Sequence, residues 1–146
     1  MKKLYLDMNI YNRPFDDQSQ VRIKLETIAI NAILKMIKSG KFALLWSFMV
    51  EFENSLNPYD DVRTEIDMLS KIASEYVNMS DDILEAAKEM ESVRIKPRDA
   101  VHLACAIKAK ADWFLTCDDK LIRKARFIKD DIIITNPLDF VRSEVR

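Results

Sequence analysis

The chain has 146 residues and a single glycine, where an average usage of roughly 7% would supply about ten, so the glycine-rich phosphate cradles of P-loop and dinucleotide-binding enzymes are excluded. Its 49% hydrophobic and 32% charged residues describe a soluble globular domain with one core, and apolar runs such as residues 42–46 and 132–134 fall far short of the roughly 20 residues that span a bilayer, so no membrane segment or signal peptide is expected. The net charge of -1 excludes little, because it sums +2 for residues 1–59, -7 for 60–92 and +4 for 93–146; the last stretch carries a basic run, Lys120, Arg123, Lys124, Arg126 and Lys129, that can be read as a phosphate-facing surface or as a solvated helix face.

In chain order, residues 3–7 predict a strand whose continuous apolar core, Leu4-Tyr5-Leu6, suits burial on both faces and which ends in Asp7. Val21, Leu25, Ile28, Ala32 and Met36 recur at helical spacing and predict a helix over about 19–39, with Gly40 as the left-handed residue just past its end. Residues 42–46 predict a second strand. Ser47 then caps a helix carrying Glu51, Glu53 and Asn54 and stopped by Pro58. A helix over about 60–75 buries Val62, Ile66, Leu69 and Ile72; a brief strand follows at 76–79, and Ser80 caps a helix through Ile83, Ala87 and Met90.

Pro97 suits the first turn of a helix over 99–110, and residues 112–116 predict a further strand followed by Asp118 and Asp119. A short basic helix, a strand at 132–134 and a helix opened by Asn136 and Pro137 complete the chain. The alternation argues a three-layer α/β fold with a mostly parallel sheet, in one domain spanning residues 1–146. Cys105 and Cys117 lie in apolar stretches and read as buried thiols of a reducing cytoplasm.

In such sheets the functional crevice lies beyond the carboxyl ends of the strands. Asp7 and Asp118 directly follow strands, Asp99 opens a helix feeding back into the sheet, and Glu51 lies one turn into the helix after the second strand. Four carboxylates at one edge need a positive neutraliser, and a hard divalent cation, Mg²⁺ or Mn²⁺, is the one that oxygen ligands select; its chemistry with phosphate and water is phosphodiester hydrolysis. Each acid also has a plain structural reading: Asp99 as a helix N-terminal charge, Asp118 as a cap, Glu51 as an exposed helix residue. Asp7, ending a buried strand, has the fewest.

Leu4-Tyr5-Leu6-Asp7-Met8-Asn9 forms a hydrophobic strand with a D-x-N opening, Ser47-Phe48-Met49-Val50-Glu51 an S-x-x-x-E segment, and Arg98 to Ala104 a third motif around Asp99. Phe114-Leu115-Thr116-Cys117-Asp118 reads as h-h-T-x-D, and Ile134 to Phe140 as a closing strand with N-P-x-x-F. In these motifs and their order the sequence resembles PIN-domain proteins, in particular VapC-like toxins. The resemblance implies a three-layer α/β/α sandwich on a five-stranded parallel sheet, a metal-dependent ribonuclease, frequent homodimers and, for the toxins, a cognate antitoxin.

Carried over, Asp7, Glu51, Asp99 and Asp118 match the acidic metal-binding and catalytic set, with Asn9 and Thr116 as polar supports and Asp119 beside them. Met8 departs from the usual small or hydroxyl residue, and Glu53 and Asp119 are alternative ligands to Glu51 and Asp118. Arg13, Arg98, Lys120, Arg123 and Lys124 are the residues expected to meet RNA. His102 is expected to pack, Trp46, Trp113, Phe42 and Phe114 to be core, and Tyr11, Arg13 and Phe15 to lie in a loop at the groove or against the sheet. Two other functions fit parts of the pattern. A haloacid-dehalogenase-like phosphatase would need an acid where Asn9 stands, and a catalytically silent PIN-fold binding or assembly module would need none of the acids.

Overall fold

The computed structural model describes residues 1–128 and 130–144; Lys129, the last member of the basic run, lies outside them. Five strands, β1 (Lys3–Leu6), β2 (Ala43–Ser47), β3 (Glu75–Val77), β4 (Trp113–Leu115) and β5 (Ile133–Thr135), form one sheet in the order β3-β2-β1-β4-β5. Every pairing is parallel. Helices α1 (Met8–Asn12), α2 (Val21–Lys38), α3 (Phe48–Ser55), α4 (Asp60–Leu69), α5 (Asp81–Glu91), α6 (Pro97–Lys108), α7 (Asp119–Lys124) and α8 (Pro137–Glu144) connect the strands and cover them. This is the expected α/β sandwich.

Parallel strands must be buried on both faces, and the central one is: Leu4, Tyr5 and Leu6 have no solvent exposure. Tyr5 stacks on Phe114 of the neighbouring strand, with ring centroids 5.4 Å apart. Phe140 of α8 meets Trp113 edge-on at 4.8 Å and closes the core at the far end. Phe42, Trp46, Trp113 and Phe114 are core residues, and Cys105 and Cys117 are buried free thiols.

Three local expectations change. The chain after Asp7 is helical rather than looped, because the Asp7 carboxylate accepts the Met8 N–H and caps α1, and Arg13–Phe15 continues as a 3₁₀ turn. The helix predicted to 75 ends at Leu69, with a 3₁₀ turn at Ser70–Ile72 releasing the chain into β3. On α2 the apolar positions that mark the helix are not its buried face: Val21 is 74% and Ile28 59% exposed and Ala32 and Met36 are half-buried, while Ala29, Ile30, Ile33 and Ile37 are buried together with Glu26. The physical reason is a helix with two apolar faces, of which the inner one takes in Glu26 because Arg13 and Arg22 lie against its carboxylate at 3.3 and 3.6 Å.

Gly40, at φ +82°, ends α2 as expected. The Lys41 N–H reaches the Met36 carbonyl and the Gly40 N–H that of Ile37, the paired bonds of a Schellman motif.

Candidate active site

Strand order reverses between β1 and β4, so the connections leaving their carboxyl ends diverge there and leave a crevice. The Asp7 N–H donates to the Leu115 carbonyl at 2.9 Å, fixing the first acid against β4. Both Asp7 oxygens are held: Oδ1 by the Met8 N–H at 2.8 Å, Oδ2 by the Thr116 hydroxyl at 2.8 Å and the Asn9 amide at 3.2 Å. The Asn9 amide oxygen accepts the Cys117 N–H at 3.0 Å, and Thr116 Oγ1 accepts the Asp118 N–H at 3.1 Å. Asn9 and Thr116 thus tie the two strand ends into one rigid unit. With its amide engaged on both sides, Asn9 has no carboxylate to offer the second-acid role of a haloacid-dehalogenase-like phosphatase.

Asp118 caps α7, its Oδ1 accepting the N–H groups of Lys120 at 2.9 Å and Leu121 at 3.2 Å. With Asp99, from the first turn of α6, it lines a cavity of about 20 Å³, room for about one water-sized species. Lys96, Lys120, Lys124 and Leu121 complete the lining. Burial, then the negative charges of Asp7 and Asp118, push the Asp99 carboxyl up to about 6, partly opposed by His102. Asp7 is also raised, by burial first, against the opposing effects of His102 and its hydrogen bonds.

The fourth carboxylate at this edge is Glu53, not Glu51. From α3, the exposed Glu51 turns to the Tyr76 hydroxyl and lines a separate cavity with Arg63 and Asp67. Glu53 lies two residues on, about 200° further around the helix, and faces the acids. It bonds His102 Nε2, pairs with Arg98 at 3.7 Å, and its charge raises both Asp7 and Asp99. Counting from the Ser47 cap favoured Glu51; the signal that selects Glu53 is the helical face shared with the buried Val50 and Asn54.

Asp119 is likewise directed away, gripped by both terminal nitrogens of Arg22 at 2.7 and 2.9 Å. Of the basic residues, Lys120 and Lys124 face the cavity, and Lys96, which sequence reasoning missed, joins them from the turn before α6. Arg98 lies over the Phe52 ring beside Glu53. Arg13 is spent on Asp16 and Glu26, and Arg123 faces Asp119. His102 does more than pack: fully buried, it touches Glu53 and stands 3.8 Å from Asp7 Oδ1.

The donor set fits a hard divalent cation, since it is all oxygen and its negative charges raise one another's protonation without a countercharge of their own among the acids. Among the described residues, no three His, Cys, Asp or Glu side chains are gathered into ligating geometry.

The PIN domain family matches residues 4–127, and the chain belongs to it. Among solved structures it is similar to VapBC2 from Rickettsia felis bound to a DNA fragment from their promoter, with a TM-score of 0.60 at 15% identity over 92% of this chain and 98% of that one. It is also similar to FitAcB from Neisseria gonorrhoeae, with a TM-score of 0.62 at 15% identity over 92% and 97%. No curated protein matches the sequence. Among the described residues no helix is long and apolar enough to cross a membrane.

Proposed function

We propose that this chain is a Mg²⁺- or Mn²⁺-dependent endoribonuclease and the toxin of a toxin–antitoxin pair. The observation that carries the reading is the approach of Asp7 and Asp118 to Asp99 at the β1/β4 switch point, where burial first and then their like charge push the Asp99 carboxyl up to about 6 beside three lysines. Asp7, Asp99 and Asp118, with Glu53, would hold the cation. Bound there, it supplies Lewis-acid polarisation of a phosphate oxygen and lowers the pKa of water for attack on phosphorus.

The chain's own residues do the rest. Asn9 and Thr116 fix the Asp7 carboxylate so that its orientation is settled before substrate arrives. Lys96, Lys120 and Lys124 neutralise the phosphates on either side of the scissile bond, and Arg98 adds a charge above Glu53. The likeness to VapBC2 supports an antitoxin partner, and a homodimer in a cytoplasmic setting belongs to the same proposal.

The test is cleavage of a mixed RNA with Mn²⁺, with EDTA as control, alongside Mn²⁺ titration by calorimetry. Asp7→Asn is expected to abolish both signals. Glu53→Gln lowers affinity by roughly tenfold to a hundredfold, whereas Glu51→Gln leaves cleavage unchanged. Cleavage that persists in EDTA or in Asp7→Asn sinks the mechanism. A silent binding module would show neither cleavage nor metal uptake while partner binding survives Asp99→Asn.

A further inference from the structure

The buried histidine behind the acids is joined to a chain of hydroxyls that no part of the proposed chemistry uses. His102 Nδ1 lies 2.7 Å from the Tyr5 hydroxyl, and that hydroxyl lies 2.7 Å from Ser47 Oγ. Ser47 Oγ in turn accepts the Val50 N–H at 3.2 Å as the cap of α3. On the other side of the ring Nε2 meets Glu53 Oε1, with Asp7 Oδ1 at 3.8 Å. Tyr5, Ser47 and His102 are all essentially without solvent exposure. The chain therefore runs from the cap of α3, through β1, to the ring on α6 and back to a carboxylate on α3.

We propose that His102 is a positioning residue whose Nε2–H holds the Glu53 carboxylate at the acidic cluster, with the ring fixed by Tyr5 and Ser47. This rests on the reading of the cluster as a metal-dependent nuclease site. Two carboxylates face Nε2, and a carboxylate accepts, so Nε2 carries the proton. Nδ1 is left to Tyr5, whose hydroxyl can point its proton at the ring while receiving one from Ser47. Every heteroatom in the chain then has a partner, the condition under which a buried polar network fixes one geometry.

The arrangement also explains why Glu53, although it faces like charges, stays at the site. The histidine and Arg98 hold its two oxygens separately, Oε1 to the ring and Oε2 to the guanidinium at 3.7 Å. Hydrogen bonds of this kind set the direction of a ligating carboxylate, and their loss typically costs roughly tenfold to a hundredfold in metal affinity.

His102 is the only histidine, so imidazole ¹⁵N spectra of the full-length, metal-free protein report on it without assignment. The expected spectrum has a protonated Nε2, whose signal shifts in Glu53→Gln, and an Nδ1 signal that shifts in Tyr5→Phe. An Nε2 that carries the lone pair overturns the proposal, and so does an Nδ1 signal indifferent to Tyr5→Phe. In calorimetry, His102→Asn, which removes the donor at the Nε2 position, is expected to weaken Mn²⁺ binding by roughly tenfold to a hundredfold, and His102→Gln, whose amide nitrogen reaches that position, to restore most of it. Equal affinities for the two variants also overturn it. If the wild type takes up no Mn²⁺, the nuclease reading fails by itself, and the ¹⁵N spectra still decide whether Nε2–H holds Glu53.

Discussion

Asp99 carries the electrostatic cost of the cluster in a form that can be measured. Its carboxyl titrates at the ordinary 3.8 when unfolded and at about 6 in the fold, because burial and the charges of Asp7 and Asp118 disfavour ionisation. Between those values the folded chain keeps a proton that the unfolded chain has lost, so stability falls as pH rises through the window. Below it both states are protonated and the burden is absent; above it the burden is complete. Asp99→Asn is therefore expected to stabilise the metal-free protein by about 1 kcal/mol at pH 8, the half-exposed position of the group screening part of the repulsion, and by nothing near pH 3.5. Thermal unfolding at the two pH values checks this, and a gap of equal size at both would dismiss charge as its origin. Added Mn²⁺ is expected to reverse the order at pH 8, since it stabilises only the chain that binds it.

At the scale of the elements, the one glycine leaves a debt that the helix ends reveal. Among the described residues three adopt positive φ, but only the end of α2 has glycine there; Arg94 and Lys110 stand at +69° and +57°. After α6, the Ala111 N–H reaches the Ala106 carbonyl and the Lys110 N–H that of Ile107, the same Schellman bonds that close α2, with an exposed lysine at the left-handed position. A side chain there costs about 1–2 kcal/mol, offset in part by the freedom glycine adds to the unfolded state, so Lys110→Gly is expected to raise stability by about 0.5–1 kcal/mol. Urea unfolding measures it as a higher midpoint at unchanged slope. The single glycine marks the helix end that sequence could locate; the ends of α5 and α6 had no such mark. What was legible followed the same division. Strands that are apolar throughout and caps such as Ser47 and Ser80 state their own structure, and Asp7, Asn9, Thr116 and Asp118 stand beside them, so position along the chain nearly determines position in space. Facing is different. Helical spacing located α2 but not its inner side, which a buried Glu26 between two arginines decides, and on α3 a count from the Ser47 cap passed over the helical face that turns Glu53 inward. What each of the two acids on α3 then meets depends on partners far away in sequence, His102 for Glu53 and Tyr76 for Glu51.

For the whole molecule, a net charge of -1 says little about a polyanionic partner, because the carboxyl edge of the sheet pairs its acids with a rim of lysines. A divalent cation among the acids would convert this edge from mixed to positive, while the strongly acidic middle stretch, residues 60–92, belongs to α4, β3 and α5. Binding to RNA should then depend on a few local cations and not on overall charge. In an Asp7→Asn background, where the RNA survives the titration, replacing Lys96, Lys120 and Lys124 with alanine is expected to weaken binding across sequences and to make the slope of log affinity against log salt shallower by about 2, near 0.7 per lost phosphate contact on a single strand. The comparison is Lys35, Lys38 and Lys41, all exposed but at the C-terminal end of α2 and the entry to β2, the opposite edge of the sheet. Their removal subtracts the same formal charge. If both triple variants flatten the slope alike, binding responds to total charge and the lysine rim has no special part in it; if only the first does, the phosphate path runs past Asp99 and Asp118.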